Sequence, residues 1–241
     1  MTFYSNMSRI LLGNDTPCIS CNKSFRQTST ISQELCLRCD QQIPWISNIS
    51  CYDCGRQTNC TDCIRRRADE ADWLDYHRAA VQYSQQMKHW LYHYKYRGDQ
   101  RWQYVMAQML QIIWKTEYAK QIDFITFVPV SIERLHERTF NQAEQLAKQL
   151  SVINNVPVLP LLHRRKDTGK QSSKSRIERT EMMDSVFESI EQPDEQRAKM
   201  RESKILIIDD IYTTGNTMHA CARAIRAKYD VNIYGLSWAR S

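Results

Sequence analysis

Ile205-Leu-Ile-Ile-Asp-Asp-Ile-Tyr-Thr-Thr-Gly-Asn-Thr217 is the stretch on which the reading of this 241-residue chain turns. Four consecutive apolar residues, Ile205 to Ile208, have the composition of a strand buried on both faces, and they deliver Asp209 and Asp210 to its carboxyl end. Open parallel sheets place their ligands at that end. Thr213, Thr214, Gly215, Asn216 and Thr217 then make a small turn into a helix, where backbone N–H groups and the positive helix end converge on one point. A phosphate suits that point. The two carboxylates would repel a phosphate aimed at them, but they can accept hydrogen bonds from a vicinal diol such as ribose carries. Two other readings compete. One is the acid pair of a receiver domain, which needs a further Asp and a Lys on later strands and has only 31 residues after Asp210 to supply them. The other is an acid pair that merely caps local structure.

Working outward, Lys204 to Asp210 is the clearest strand, Met218, Cys221, Ala222 and Ile225 recur at helical spacing behind the turn, and Val231 to Trp238 reads as a final strand. Upstream, Ala79 to Tyr83 is a short apolar stretch, followed by an aromatic-rich helix around Gln85 to Tyr94 that breaks at Arg97-Gly98-Asp99. A second helix from about Gln100 puts Trp102, Val105, Met106, Met109 and Ile113 on one face, a stripe better suited to core than to base stacking. Phe124 to Val130 has a buried-strand composition, and Ala143, Leu146, Ala147 and Leu150 mark a helix that Asn141 can cap, with Glu144 three residues on. Val156 to Leu162 is another possible strand. A polar stretch of about 40 residues follows, ending near Ser203, whose length suggests a mobile functional loop around some short structure. Strands alternating with helices predict an α/β fold with a mostly parallel sheet.

Two acids, two spacers and Thr-Thr-Gly-x-Thr together resemble the ribose-phosphate motif of type I phosphoribosyltransferases. The resemblance implies a parallel sheet flanked by helices, Asp209 and Asp210 on the 2′ and 3′ hydroxyls of phosphoribosyl pyrophosphate, and Thr213 to Thr217 around its 5′-phosphate. Chain order narrows the family. Cysteine pairs lead, Arg134-Leu-His-Glu-Arg138-Thr-Phe-Asn-Gln142 follows a Val-Pro-Val strand, and a basic segment precedes the acid pair. In that order the sequence is similar to the ComF family of competence-associated proteins over essentially its full length. The family carries its pyrophosphate loop at the Arg-x-x-x-Arg-x-x-Asn-Gln stretch, which nominates Arg134, Arg138, Asn141 and Gln142. Two cations beside a helix N-terminus suit that anion, although a solvated, capped helix start is the plainer reading.

The same resemblance implies Mg²⁺ bridging pyrophosphate and diol, and two functions. One is transfer of the phosphoribosyl group to a nitrogen nucleophile with release of pyrophosphate. The other is handling of single-stranded DNA during natural transformation, beside a helicase-like partner of the same pathway, with the sugar-phosphate site kept for binding. Lys166, Thr168, Gln171, Lys174, Arg176 and Arg179 match the family's Thr-x-x-Gln and Arg pattern, but Glu181 and Met182 stand where many relatives have an Asn. A loop there can close over pyrophosphate or track a nucleic-acid backbone.

Composition supports the second role in one place. The net charge is +6, yet from Arg164 to Arg179 seven basic residues, among them Arg165, Lys166, Lys174 and Arg176, face only Asp167 and Glu178. That segment attracts polyanions, though charge runs often serve only solubility.

Eight of the nine cysteines form four Cys-x-x-Cys pairs: Cys18/Cys21, Cys36/Cys39, Cys51/Cys54 and Cys60/Cys63. Two intervening residues let a tight turn aim both sulfurs at one tetrahedral ion, so two pairs complete a closed four-sulfur zinc site. Sequential pairing predicts two structural zinc ions, but the second set spans only a five-residue loop, and interleaved ligation or a single ion stays open at this level. Disulfides would need an oxidising compartment. The Cys-rich module is expected over residues 1–70 and the phosphoribosyltransferase-like domain over 71–241, with a linker near 64–75 around Arg65-Arg66-Arg67. Mean hydropathy of -0.60, no apolar run long enough to span a bilayer and no signal-peptide pattern predict a soluble, cytoplasmic protein with no membrane insertion.

Overall fold

A computed structural model describes residues 17–58, 60–68, 73–119, 121–165 and 186–241. In chain order its α-helices are α1 (Leu37–Asp40), α2 (Thr61–Ala68), α3 (Gln85–Tyr96), α4 (Arg101–Ile113), which a π-helical turn at Trp114–Tyr118 continues, α5 (Ile132–Arg138), α6 (Gln142–Asn154), α7 (Asp194–Met200) and α8 (Asn216–Arg226). The strands are β1 (Tyr76–Gln82), β2 (Phe124–Phe127), β3 (Leu162–Arg164), β4 (Phe187–Ser189), β5 (Lys204–Tyr212) and β6 (Asn232–Arg240).

The apolar run of β5 lies inside a four-stranded, wholly parallel sheet of order β1-β6-β5-β2. Its side chains alternate between two cores, as a strand period of two requires. Leu206 and Ile208 face one core with Trp90, Trp102, Leu146 and Trp238, while Ile205 and Ile207 face another with Met218, Cys221, Ala222 and Ile225. Helices α3, α4 and α6 therefore cover one face and α8 the other, and the aromatic and methionine stripe is core.

Val156 to Leu162 does not form a continuous strand. Pro157 and Pro160 lack N–H donors, so only Val158 bridges β2, at Ile125, before the chain turns into the β3–β4 antiparallel pair. Pro129 similarly follows the end of β2 at Phe127. Within the polar stretch, α7 is a seven-residue helix, and the remainder from Lys166 to Ser185 lies outside the described residues. Residues 64–68, expected as linker, are helical instead, because Cys60 and Cys63 anchor the first turn of α2, where Ile64 N donates to Cys60 O.

The cysteine-rich region straddles the β1 edge of the sheet. His77 N donates to Asp53 O (2.7 Å), Ile46 N to Ala80 O (3.0 Å) and Gln82 N to Pro44 O (2.9 Å), so the edge is covered instead of exposed. Cys18, Cys36 and Cys39 join the Trp90 core, whereas Cys54, Cys60 and Cys63 join the α8 core. Gly55 permits this approach: at φ +71° it is left-handed, and a Cβ there would lie 3.0 Å from the His77 carbonyl oxygen.

Candidate sugar-phosphate site

Asp209 and Asp210 end the buried part of β5. The Asp209 carboxylate turns back on the chain, Oδ1 accepting from Asp210 N at 2.8 Å. Burial first, and the Asp210 charge second, push its carboxyl up to about 8. Asp210 points the other way, into an ion pair with Lys95 of α3 in which both side chains are largely buried. Lys95 thus neutralises the outer acid while Asp209 holds its proton, which lets two adjacent carboxyls share a strand end.

Beyond β5, Thr213, Thr214 and Asn216 are exposed, Thr217 is half-buried, and Gly215 is the left-handed N-cap of α8 at φ +88°. A Cβ on Gly215 would overlap the Tyr212 hydroxyl. No side chain caps α8, so its first-turn N–H groups stay available to an anion.

The other nominated residues follow the neighbouring strand β2, on α5 and at the start of α6. Val128 N donates to Ile208 O, and Asn141 Nδ2 donates to Val128 O at 2.9 Å, tying the start of α6 to the residue before Asp209. Asn141 Oδ1 also accepts from Ala143 N, so this buried side chain is the expected helix cap. Arg138 stacks over the Tyr96 ring, donates to its hydroxyl at 3.1 Å and reaches Gln142 Oε1 at 3.3 Å. Arg134 is exposed on α5. Three buried polar atoms here lack a partner among the described residues: the Tyr94 hydroxyl, Arg138 Nε and Gln142 Nε2. Orphaned donors beside an acid pair fit an anionic, hydroxyl-bearing ligand.

Of the basic segment, Arg164 lies over the Phe187 ring and Arg165 pairs with Glu188 at 2.8 Å. Lys166, Thr168, Gln171, Lys174, Arg176 and Arg179 lie outside the described residues.

The cysteines cluster sequentially, Cys18, Cys21, Cys36 and Cys39 in one set and Cys51, Cys54, Cys60 and Cys63 in the other, with all sulfurs of a set within 4.8 Å of one another. None of the nine forms a disulfide. Zn–S bonds of roughly 2.3 Å at tetrahedral angles need sulfurs about 3.8 Å apart, and Cys21 and Cys36 stand at 3.9 Å. Each set could hold a zinc ion, closed on all four sides.

Comparison with known proteins bears on the same residues. The phosphoribosyl transferase domain family model matches residues 135–231, which contain the acid pair, the turn, Arg138, Asn141 and Gln142. Competence protein ComFC of Streptococcus pneumoniae is 32% identical over 216 residues, covering 84% of this chain and 90% of that protein. The chain belongs to the ComFC family. ComFC of Bacillus subtilis is 28% identical over 225 residues, covering 88% of this chain and 89% of that one. Among solved structures, adenine phosphoribosyltransferase of Saccharomyces cerevisiae overlaps 61% of this chain and 72% of its own at 15% identity and a TM-score of 0.37.

In this ComFC-family chain the motif reading missed two cations. Lys95 lies in the helix run Tyr94-Lys95-Tyr96, which bridges the acid pair, through Lys95, to Arg138, through Tyr96. Arg66, in the stretch read as linker, donates to Thr214 O at 2.7 Å. A lysine between two tyrosines was the available signal for the first; nothing local marks the second. No helix among the described residues is long and apolar enough to cross a membrane.

Proposed function

We propose that this competence-related, phosphoribosyltransferase-like protein binds phosphoribosyl pyrophosphate with Mg²⁺ at the carboxyl end of β5 and uses that site while handling single-stranded DNA during uptake. The carrying observation is the juxtaposition of Asp209 and Asp210 with the uncapped N-terminus of α8 across the Thr213–Thr217 turn. In this reading the acids accept from the ribose hydroxyls, the turn takes the 5′-phosphate, and Arg138 with Gln142 receives the pyrophosphate. Bound Mg²⁺ would supply charge neutralisation between pyrophosphate and diol, for which carboxylate oxygens are suitable hard donors. Lys95 holds the Asp210 charge when no cation is present.

Calorimetry on the zinc-loaded protein should show Mg²⁺-dependent phosphoribosyl pyrophosphate binding that is lost in the Asp209→Asn, Asp210→Asn double variant. Equal affinity in that variant removes the site. The DNA arm rests on the +5 segment from Arg164 to Arg179. Single-strand affinity should fall steeply with salt, and neutralising Arg164, Arg165, Lys166 and Lys174 should shrink the logarithmic slope by about 0.7 for each phosphate that is no longer neutralised. Salt-insensitive binding, or none, counts against that arm.

The family-model match over 135–231 favours a second reading, turnover. There, a nitrogen nucleophile forms the bond to the anomeric carbon as the bond to pyrophosphate oxygen breaks, and release of pyrophosphate in the presence of an acceptor base distinguishes it from binding alone.

A further inference from the structure

The turn that would cradle the 5′-phosphate carries no charge of its own: Thr213, Thr214, Gly215, Asn216 and Thr217 are all neutral, the first turn of α8 has no acidic residue, and its His219 is pushed down to about 3, by burial first and by the Arg66 charge second. The cation beside it comes from the far end of the chain. Arg66 on α2 reaches across 148 residues to donate from Nη2 to Thr214 O at 2.7 Å. A Cβ on Gly215 would lie 3.3 Å from that same nitrogen, so the guanidinium sits against the turn itself.

The other arm of the guanidinium is held by the second cysteine set, Nη1 lying 3.8 Å from Cys63 Sγ. Arg66 lies three positions after Cys63, which puts both on one face of α2. A second route joins the same parts. Cys54 O receives Arg240 Nη1 and lies 3.2 Å from His77 Nδ1, and Arg240 and His77 both contact the Tyr212 ring, at 4.7 and 3.9 Å. Tyr212 is 3% exposed, and its hydroxyl, which a Cβ on Gly215 would overlap, has no partner among the described residues. A cation and an unpartnered hydroxyl thus lie against the same side of Gly215.

We propose that Arg66 is a ligand of the sugar 5′-phosphate, aimed by the Cys51/Cys54/Cys60/Cys63 metal cluster, so that metal loading of this cluster sets sugar-phosphate affinity. The proposal rests on the site reading above and adds the zinc module to it. A guanidinium offers five N–H donors in a planar fork; with one arm on the cysteine sulfur and one on the turn, it can shift its inner donors to a phosphate without leaving either element. Loss of the metal releases Cys63 from the cluster and, with it, the sulfur that positions Nη1.

Titration calorimetry of zinc-loaded full-length protein with three probes tests this: phosphoribosyl pyrophosphate, ribose 5-phosphate, and Mg²⁺-pyrophosphate, which lacks the 5′-phosphate. Arg66→Ala should weaken the first two at least about tenfold and leave the third unchanged, with two zinc ions per chain retained. Should Arg66→Ala shed zinc, Arg66→Lys is read by the same criteria, since it keeps a cation beside Cys63 but cannot span both contacts. Unchanged ribose 5-phosphate affinity, or equal weakening of all three probes, overturns the role of Arg66 while wild-type binding and its loss in the double Asp variant leave the site reading standing. Failure of the wild-type protein to bind phosphoribosyl pyrophosphate overturns both.

Discussion

At the scale of single residues, the acid pair is asymmetric, and the asymmetry has a measurable sign. Asp209 has its carboxyl raised to about 8 by burial and by the Asp210 charge, against an ordinary carboxylate value near 4. Between those two values the unfolded chain has released a proton that the folded chain keeps, so this group makes stability fall as pH rises from about 4 to about 8, with no further loss above. Asp209→Asn should therefore raise the urea midpoint at pH 8.5 more than at pH 5, and an equal effect at both values refutes the raised carboxyl. Binding runs the opposite way. A carboxyl that ligates a hard cation must first lose its proton, so Mg²⁺-dependent ligand affinity should climb over the same interval. Lys95 was not legible as part of this pair. One lysine in an aromatic helix reads as a snorkelling surface charge, and only the packing of α3 against β5 shows its carboxylate partner.

At the scale of elements, β5, the turn and α8 act as one unit, and Gly215 is its hinge of chirality. A left-handed backbone at φ +88° costs a non-glycine residue roughly 1 kcal/mol, and the overlap of a Cβ with Tyr212 adds to it. Gly215→Ala should lower stability by about 2 kcal/mol or more in chemical denaturation. Tyr212→Phe in the same background should rescue little, because the ring Cζ would still be 2.6 Å from that Cβ. A silent Gly215→Ala would mean that the turn is looser than described. These elements were nearly all legible in sequence. Ile205 to Ile208 are apolar without interruption, Met218, Cys221, Ala222 and Ile225 keep helical spacing, and Asn141 carries its own capping chemistry; each of these signals is local. Val156 to Leu162 misled because apolar composition there is contradicted by two prolines that cannot donate to a ladder.

At the scale of the whole molecule, the cysteine-rich region and the sheet share both cores. Trp90 shows the connection: fully buried against Trp102 at 4.7 Å, it donates from Nε1 to Ser20 Oγ between Cys18 and Cys21. Metal in each cluster should thus stabilise more than its own loop. Structural zinc contributes on the order of 10 to 16 kcal/mol in small fingers, comparable to the entire stability of a domain. Chelation should unfold residues 17–68 and the sheet in one transition, with tryptophan fluorescence changing in step with zinc release. Two separated transitions would instead support independent units over the expected 1–70 and 71–241 division, whose boundary touches residues 69–72, outside the described ones.

Periodicity, proline and glycine placement and Cys-x-x-Cys spacing act over a few neighbouring residues, so the sequence alone determined the strands and helices around β5, the acid pair at its tip, the neutral turn and the metal-ligand pairs. Which cysteine pairs join, which lysine faces Asp210, and which arginine reaches Thr214 were decided only by the tertiary structure. These contacts depend on how parallel strands stack and on the module folded over the β1 edge, and they join residues whose local environments carry no trace of each other.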